Sequence, residues 1–126
     1  MKIAKFYPEL EEYIMSHKGV EKDFKEEWGW TRFMLRGKMF CAFCGEEGDF
    51  TLITVKCQPD FNVHIREMYP ASIIEGYYMN KVHWNSVYPD KGVPYELLQD
   101  MCDRGYDLVL HSLSKKIQKE ITGEQI

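Results

Sequence analysis

Leu10, Tyr13, Ile14 and His17 fall at i, i+3, i+4 and i+7, so one apolar stripe runs along "PELEEYIMSHKG". The spacing predicts a first helix opened by Pro8 and stopped by Gly19. Glu9, Glu11 and Glu12 stay on its outer side, near the positive end of the helix dipole. After "VEKDFKEEWGW", read as a polar connection with apolar anchors, the period changes to two. Phe33 and Leu35 alternate with Arg32, Met34 and Arg36. Met39, Cys41 and Phe43 then oppose Phe40, Ala42 and Cys44, and Leu52, Thr54 and Lys56 oppose Ile53, Val55 and Cys57. This predicts a three-strand meander, with Gly37 and Lys38 in the first turn and "GEEGD" in the second.

The helical period returns in "PDFNVHIREMYP", where Pro59 opens a second helix lined by Phe61, Ile65 and Met68, and Pro70 closes it. "SIIEGYYM" and "HWNSVY" predict two more strands. In the latter, Trp84, Ser86 and Tyr88 share one face and His83, Asn85 and Val87 the other. Trp84 is expected in the core, locking the sheet to the last helix, with Asn80 and Lys81 in the preceding turn. Leu97, Leu98, Met101, Leu108, Val109, Leu113 and Ile117 keep a helical period through a long C-terminal helix, which Gly105 is expected to kink or split. The order α-β-β-β-α-β-β-α with mostly short links predicts an α+β fold. An antiparallel sheet of about five strands packs against helices, in a single domain over residues 1–126.

Composition fits that size: 126 residues, 44% hydrophobic, are enough for one core, and 29% charged residues solvate its surface. Aromatic residues reach 14%, including 8 Tyr and 3 Trp. The net charge of −4 counts against a surface that is basic throughout, as non-specific nucleic-acid binders usually have. It leaves room for a local basic patch. The N-terminal residues carry acids and no apolar core of a secretory signal, and no run approaches the roughly 18 apolar residues of a membrane span. A cytoplasmic protein with reduced cysteines is expected, with no membrane contact and a monomer favoured.

Cys41-Ala-Phe-Cys44 is a C-x-x-C, but zinc sites of this type need a second pair or closely spaced His ligands, and Cys57 and Cys102 are single. Strand alternation also sends Cys41 and Cys44 to opposite faces, so both read as small buried hydrophobes. The chain contains no Gly-rich phosphate loop, G-x-S-x-G or H-E-x-x-H, and no nucleophile with an evident base. No enzyme, cofactor or resident metal is therefore expected. In "NKVHWNSVY", Trp84 is able to stack on a base, Lys81 to hold a phosphate, and Asn80, His83 and Asn85 to hydrogen-bond bases or sugars.

The segments "EYIMSHKGVEKDF", "LRGKMFCAF", "VKCQPD", "MYPASIIEGYYMNKVHWNSV" and "GVPYELLQDMCDRGYDLVLHSL" together resemble the MmcQ/YjbR family. The likeness spans roughly residues 9 to 119. It implies a CyaY/frataxin-like fold. It also implies DNA binding, through the family's similarity to the double-wing domain of a phage transcription factor. Matching positions are Lys56, Pro59, Gly76, Tyr77, Met79, Asn80, Lys81, His83, Trp84, Asn85 and Tyr106. The chain departs from the family pattern at Val82, where a second basic residue is common, in the acidic "KEEWGW", and in its C-x-x-C.

The resemblance makes a non-enzymatic DNA-binding domain the leading expectation. Its contact surface would combine Lys56, Lys81, His83 and Asn85 with Arg32, Arg36 or Lys38, while Asn80, Trp84, Pro59 and Tyr106 hold the structure. The alternative is a protein- or small-ligand-binding module that uses exposed Tyr77 and Tyr78. A third reading is frataxin-like metal binding through Glu9 and Glu12.

Overall fold

The computed structural model describes residues 2–123. Along the chain it forms α1 (Lys2–Phe6), α2 (Leu10–Met15), β1 (Val20–Lys25), β2 (Trp30–Leu35), β3 (Lys38–Cys44) and β4 (Leu52–Lys56). There follow α3 (Pro59–Met68), β5 (Ile73–Glu75), β6 (Trp84–Val87), α4 (Tyr95–Ser112) and α5 (Lys115–Thr122). The fold is α+β, and its six strands form one sheet in the order β1-β2-β3-β4-β6-β5, every neighbouring pair antiparallel. α4 packs on β2, β3 and β4, α3 on β5 and β6, and α2 on β1 and α4. The main core, with Phe33, Leu35, Phe43, Ile53, Val55, Val87, Leu98 and Met101, lies between the sheet and these helices.

The sixth strand is β1, which the sequence presents as a polar connection. It pairs with β2 from Val20↔Leu35 to Lys25↔Trp30. Four of its six residues are exposed. An edge strand held mainly by its backbone ladder needs no apolar alternation, and interleaved charges blunt its free edge. The first hairpin turns one residue earlier than expected: Arg36 (φ 49°) and Gly37 (φ 80°) both take positive φ, the geometry that matches the twist of the flanking strands.

A register shift opposite Phe33 and Met34 corrects the expected faces of β3. Phe33 pairs with Cys41 and Met34 with Met39, so Phe40 is the extra residue of a bulge. Phe40 and Cys41 therefore both enter the main core, while Met39 joins Ala42 and Cys44 on the opposite face.

Three further placements differ from expectation. The C-terminal helix continues through Gly105 and breaks at Leu113 and Ser114, where the Ser114 hydroxyl accepts a hydrogen bond from the Ile117 amide and caps α5. In α3 Phe61 and Ile65 face the core as expected, but Met68 is exposed and Asn62 takes an inner position. Trp84 does not lie under the last helix. Val87 faces the core and Asn85 faces α3, so alternation turns Trp84 and Ser86 to the other side of the sheet, where Ser86 bonds Thr54.

Candidate functional site

The turn at residues 76–83 is built as the sequence suggests. Asn80 Oδ1 accepts from the Val82 and His83 amides (2.9 and 3.1 Å), a side-chain mimic of a backbone turn. Lys81 Nζ donates to the Gly76 carbonyl at 3.3 Å, and His83 is exposed. Asn85, expected on the exposed side, is fully buried. Its Oδ1 accepts from Arg66 (2.7 Å) and its Nδ2 donates to the Asn62 carbonyl (3.1 Å), tying β6 to α3. Pro59 opens α3, and the Tyr106 hydroxyl donates to the Lys18 carbonyl.

The basic residues expected beside this turn have other engagements. Arg32 makes two bonds to the Asp23 carboxylate (2.8 and 2.6 Å); that contact holds the Asp23 carboxyl below its usual range and pushes the guanidinium up. Arg36 pairs with Glu120, and Lys38 donates to Ser112. Lys56 stands beside Trp84 in the β4–β6 ladder and is half-buried. Glu9 and Glu12 line a shallow groove with Tyr13, Ser16, Tyr95 and Gln99. Among the described residues no three His, Cys, Asp or Glu side chains form a metal-holding group.

The C-x-x-C cysteines point to opposite faces, Cys41 into the main core and Cys44 toward Thr54. Burial pushes the Cys44 thiol up to about 12, and pushes Cys41 and Cys57 up as well. All four cysteines are buried, so they are expected to resist a disulfide-exchange reagent in the native protein and to react together in denaturant. Rapid native reaction of two thiols would contradict this packing.

Among the described residues no helix covers the far face of the sheet. Trp30, Ala42, Cys44 and Leu52 form a second, smaller core there, edged by Met39, Met79 and Tyr88. Where the β1–β2 turn meets the β5–β6 turn, Trp28, Trp30, Tyr78, Met79 and Glu27 line an open pocket of about 490 Å³. The two indoles lie 5.2 Å apart at 67°, forming a corner. Lys25 Nζ and Arg32 Cζ sit 5.5 and 5.6 Å from the Trp28 ring centre, so cations brace the indole. Their charges are balanced locally by Glu27 (3.1 Å) and Asp23 (2.6 Å).

Tyr78 is 78% exposed and has φ +65°, a conformation that is an outlier for a bulky residue. Its ring packs edge-on against Tyr77 at 4.2 Å. Observed strain of this kind clusters at binding and switch sites. Sequence reasoning found Tyr77 and Tyr78 but passed over Trp28 and Trp30. The available signal was "WGW", two indoles on either side of a turn-forming Gly29, in a segment that reads as a polar connection with apolar anchors.

Comparison with known proteins places the chain in a family. The YjbR family model matches residues 15–108. An uncharacterised Escherichia coli O157:H7 protein, YbdF, is 36% identical over 89 residues, covering 71% of each chain. Uncharacterised YjbR of Escherichia coli K12 is 23% identical over 111 residues, covering 88% of this chain and 92% of the relative. A Deinococcus radiodurans protein with the domain DUF419 superposes with a TM-score of 0.82 at 25% identity, covering 91% of this chain and 86% of its own. A Pseudomonas syringae protein shares the fold at a TM-score of 0.64 and 20% identity, over 77% and 92% of the two chains.

Proposed function

The chain belongs to the YjbR family, and we propose that it serves as a non-enzymatic binding module whose recognition site is the aromatic pocket on the uncovered face of the sheet. The observation that carries this reading is an open pocket of about 490 Å³ lined by Trp28, Trp30, Tyr78 and Met79, with Tyr78 held outward in a strained backbone conformation. Small-molecule and anchor pockets have this character: concave, mostly apolar, with a few polar groups. Two indoles and a phenol supply large contact area at low conformational-entropy cost, and such residues dominate interface energetics. The local charges of Lys25, Glu27, Arg32 and Asp23 sum to zero, which suits a neutral group. The occupant assigned is an apolar or aromatic side chain presented by a partner polypeptide.

Duplex-DNA binding, the activity implied by the resemblance, would rely on Lys56, Lys81 and His83 without Asn85. It would have to draw Arg32 and Arg36 away from their carboxylates. The two readings separate in one NMR titration that follows the three Trp indole signals. N-acetyl-tryptophanamide is expected to shift Trp28 and Trp30 saturably, to leave Trp84 unmoved, and to lose at least tenfold in affinity in Trp28→Ala. Duplex DNA at low salt is expected to shift none of them. Saturable DNA binding that Lys81→Ala weakens, or no response to the amide at its solubility limit, would overturn the proposal.

A further inference from the structure

We propose that a second pocket, lined by Phe50 and Tyr88 at the end of the Tyr78–Tyr77–Phe50–Tyr88 chain of rings, binds a free nucleoside monophosphate. The pocket is assembled from three separated segments. Ile3 anchors α1 in the core, the Ile3 amide donates to Glu46 Oε1 (3.2 Å), and the Tyr7 hydroxyl donates to the Val93 carbonyl (2.6 Å). These bonds set α1 between the β3–β4 turn and the β6–α4 connection. The turn is held by Thr51 donating to the Gly45 carbonyl, and the connection by Ser72 donating to the Lys91 carbonyl. The resulting cavity measures about 440 Å³, within the roughly 300–1,000 Å³ range of small-molecule sites.

Its lining carries three chemistries that match the three parts of a nucleotide. Lys2 and Lys5 stand at i and i+3 on α1, so they share a face, and Lys91 reaches the same cavity from the other wall. None of these ammonium groups is in an ion pair among the described residues, although five other Lys or Arg side chains are. Even with Asp49 and Asp90 in the same lining, the three lysines leave a net positive charge for an anion to offset, and a phosphate supplies several acceptors at once. Phe50 and Tyr88, 6.0 Å apart and inclined at 57°, offer ring faces for a base, and Phe50 is 45% exposed. Asp49 and Asp90 complete the lining with carboxylates, which accept hydrogen bonds from ribose hydroxyls. The formal charge of the lining, three lysines against two aspartates, is +1, which disfavours a polyphosphate and suits a monophosphate.

The test is an amide NMR titration of the full chain with adenosine monophosphate, adenosine, ribose 5-phosphate and inorganic phosphate. The monophosphate is expected to shift Lys5, Phe50, Thr51 and Lys91 saturably and to bind at least tenfold more tightly than adenosine or phosphate. Lys5→Gln with Lys91→Gln, both exposed positions whose spectra report folding directly, should weaken it tenfold or more. Phe50→Ala should weaken the monophosphate and leave ribose 5-phosphate unchanged. Equal affinity for phosphate alone, the absence of saturable shifts, or tighter binding of a short 5′-phosphorylated single strand would each overturn the proposal. Trp28 and Trp30 report the other pocket in the same spectra, so either site can fail without the other.

Discussion

Gly105→Ala is expected to destabilise the domain by about 2–3 kcal/mol, lowering Tm by roughly 10 °C in a thermal melt. The sign is informative, because in an exposed helix interior the same change stabilises by about 1 kcal/mol. Gly105 lies in the middle of an 18-residue helix and is buried against the sheet. A Cβ there would stand 2.7 Å from the Lys56 carbonyl oxygen and 3.2 Å from that of Phe40. Both obstacles are backbone atoms of central strands, so neither can rotate aside; α4 would have to lift from β3 and β4. Asp107→Ala, on the exposed side of the same helix, is the control and should stay within about 0.5 kcal/mol. A Gly105→Ala protein as stable as its parent would show that α4 does not sit this close to the sheet.

That glycine also shows what could be read from the sequence and what could not. Read alone, Gly105 is a helix weakener, so a kink or a break is the natural expectation. The reason it is tolerated lies in Lys56 and Phe40, residues of two strands about fifty and sixty-five positions away. The actual break, at Leu113 and Ser114, rests on a local signal of ordinary strength, a serine that caps the next helix. Periodicity located β2, α3 and α4, and short apolar runs bounded by turn residues located β3, β4 and β6, which are buried on both faces. Periodicity failed at β1, whose two faces are both mostly solvated, and at Phe40, where a bulge displaces the alternation by one residue.

The candidate site follows the same rule. Local chemistry identified the Asn80 turn and the exposed Tyr77 and Tyr78, since an Asx turn and a loop tip are short-range features. The pocket required the β1–β2 turn to meet the β5–β6 turn across β3 and β4, and no spacing in the chain encodes that. Read from the sequence, Trp84 belongs under the long helix, because that helix is the one apolar surface the periodicity reveals; β6 is in fact buried on both faces. The second core around Trp30 and Leu52 makes the other face apolar as well.

Asn85 is the residue whose reading changed most, and its removal is expected to be among the most damaging single changes in the chain. Asn85→Ala should destabilise by about 2–4 kcal/mol, the range for breaking a buried hydrogen-bond network. The side chain is fully buried, and both of its ends are used: the carbonyl takes the Arg66 guanidinium at 2.7 Å, and the amide serves the Asn62 carbonyl at 3.1 Å. Alanine would leave a partly buried cation and a buried carbonyl without these partners. The surrounding network has little slack, because Asn62 Oδ1 is already a buried acceptor with no partner among the described residues. Asn85→Asp separates the two bonds, since it keeps an acceptor for Arg66 but sets a second acceptor against the Asn62 carbonyl. Its cost should fall between wild type and Asn85→Ala. His83→Ala, two residues away on the exposed turn, should change stability by less than about 0.5 kcal/mol. Denaturant melts of the three variants decide the matter. If Asn85→Ala were neutral in stability yet weakened DNA binding, Asn85 would be a surface contact after all, and α3 would not be tied to β6 as described.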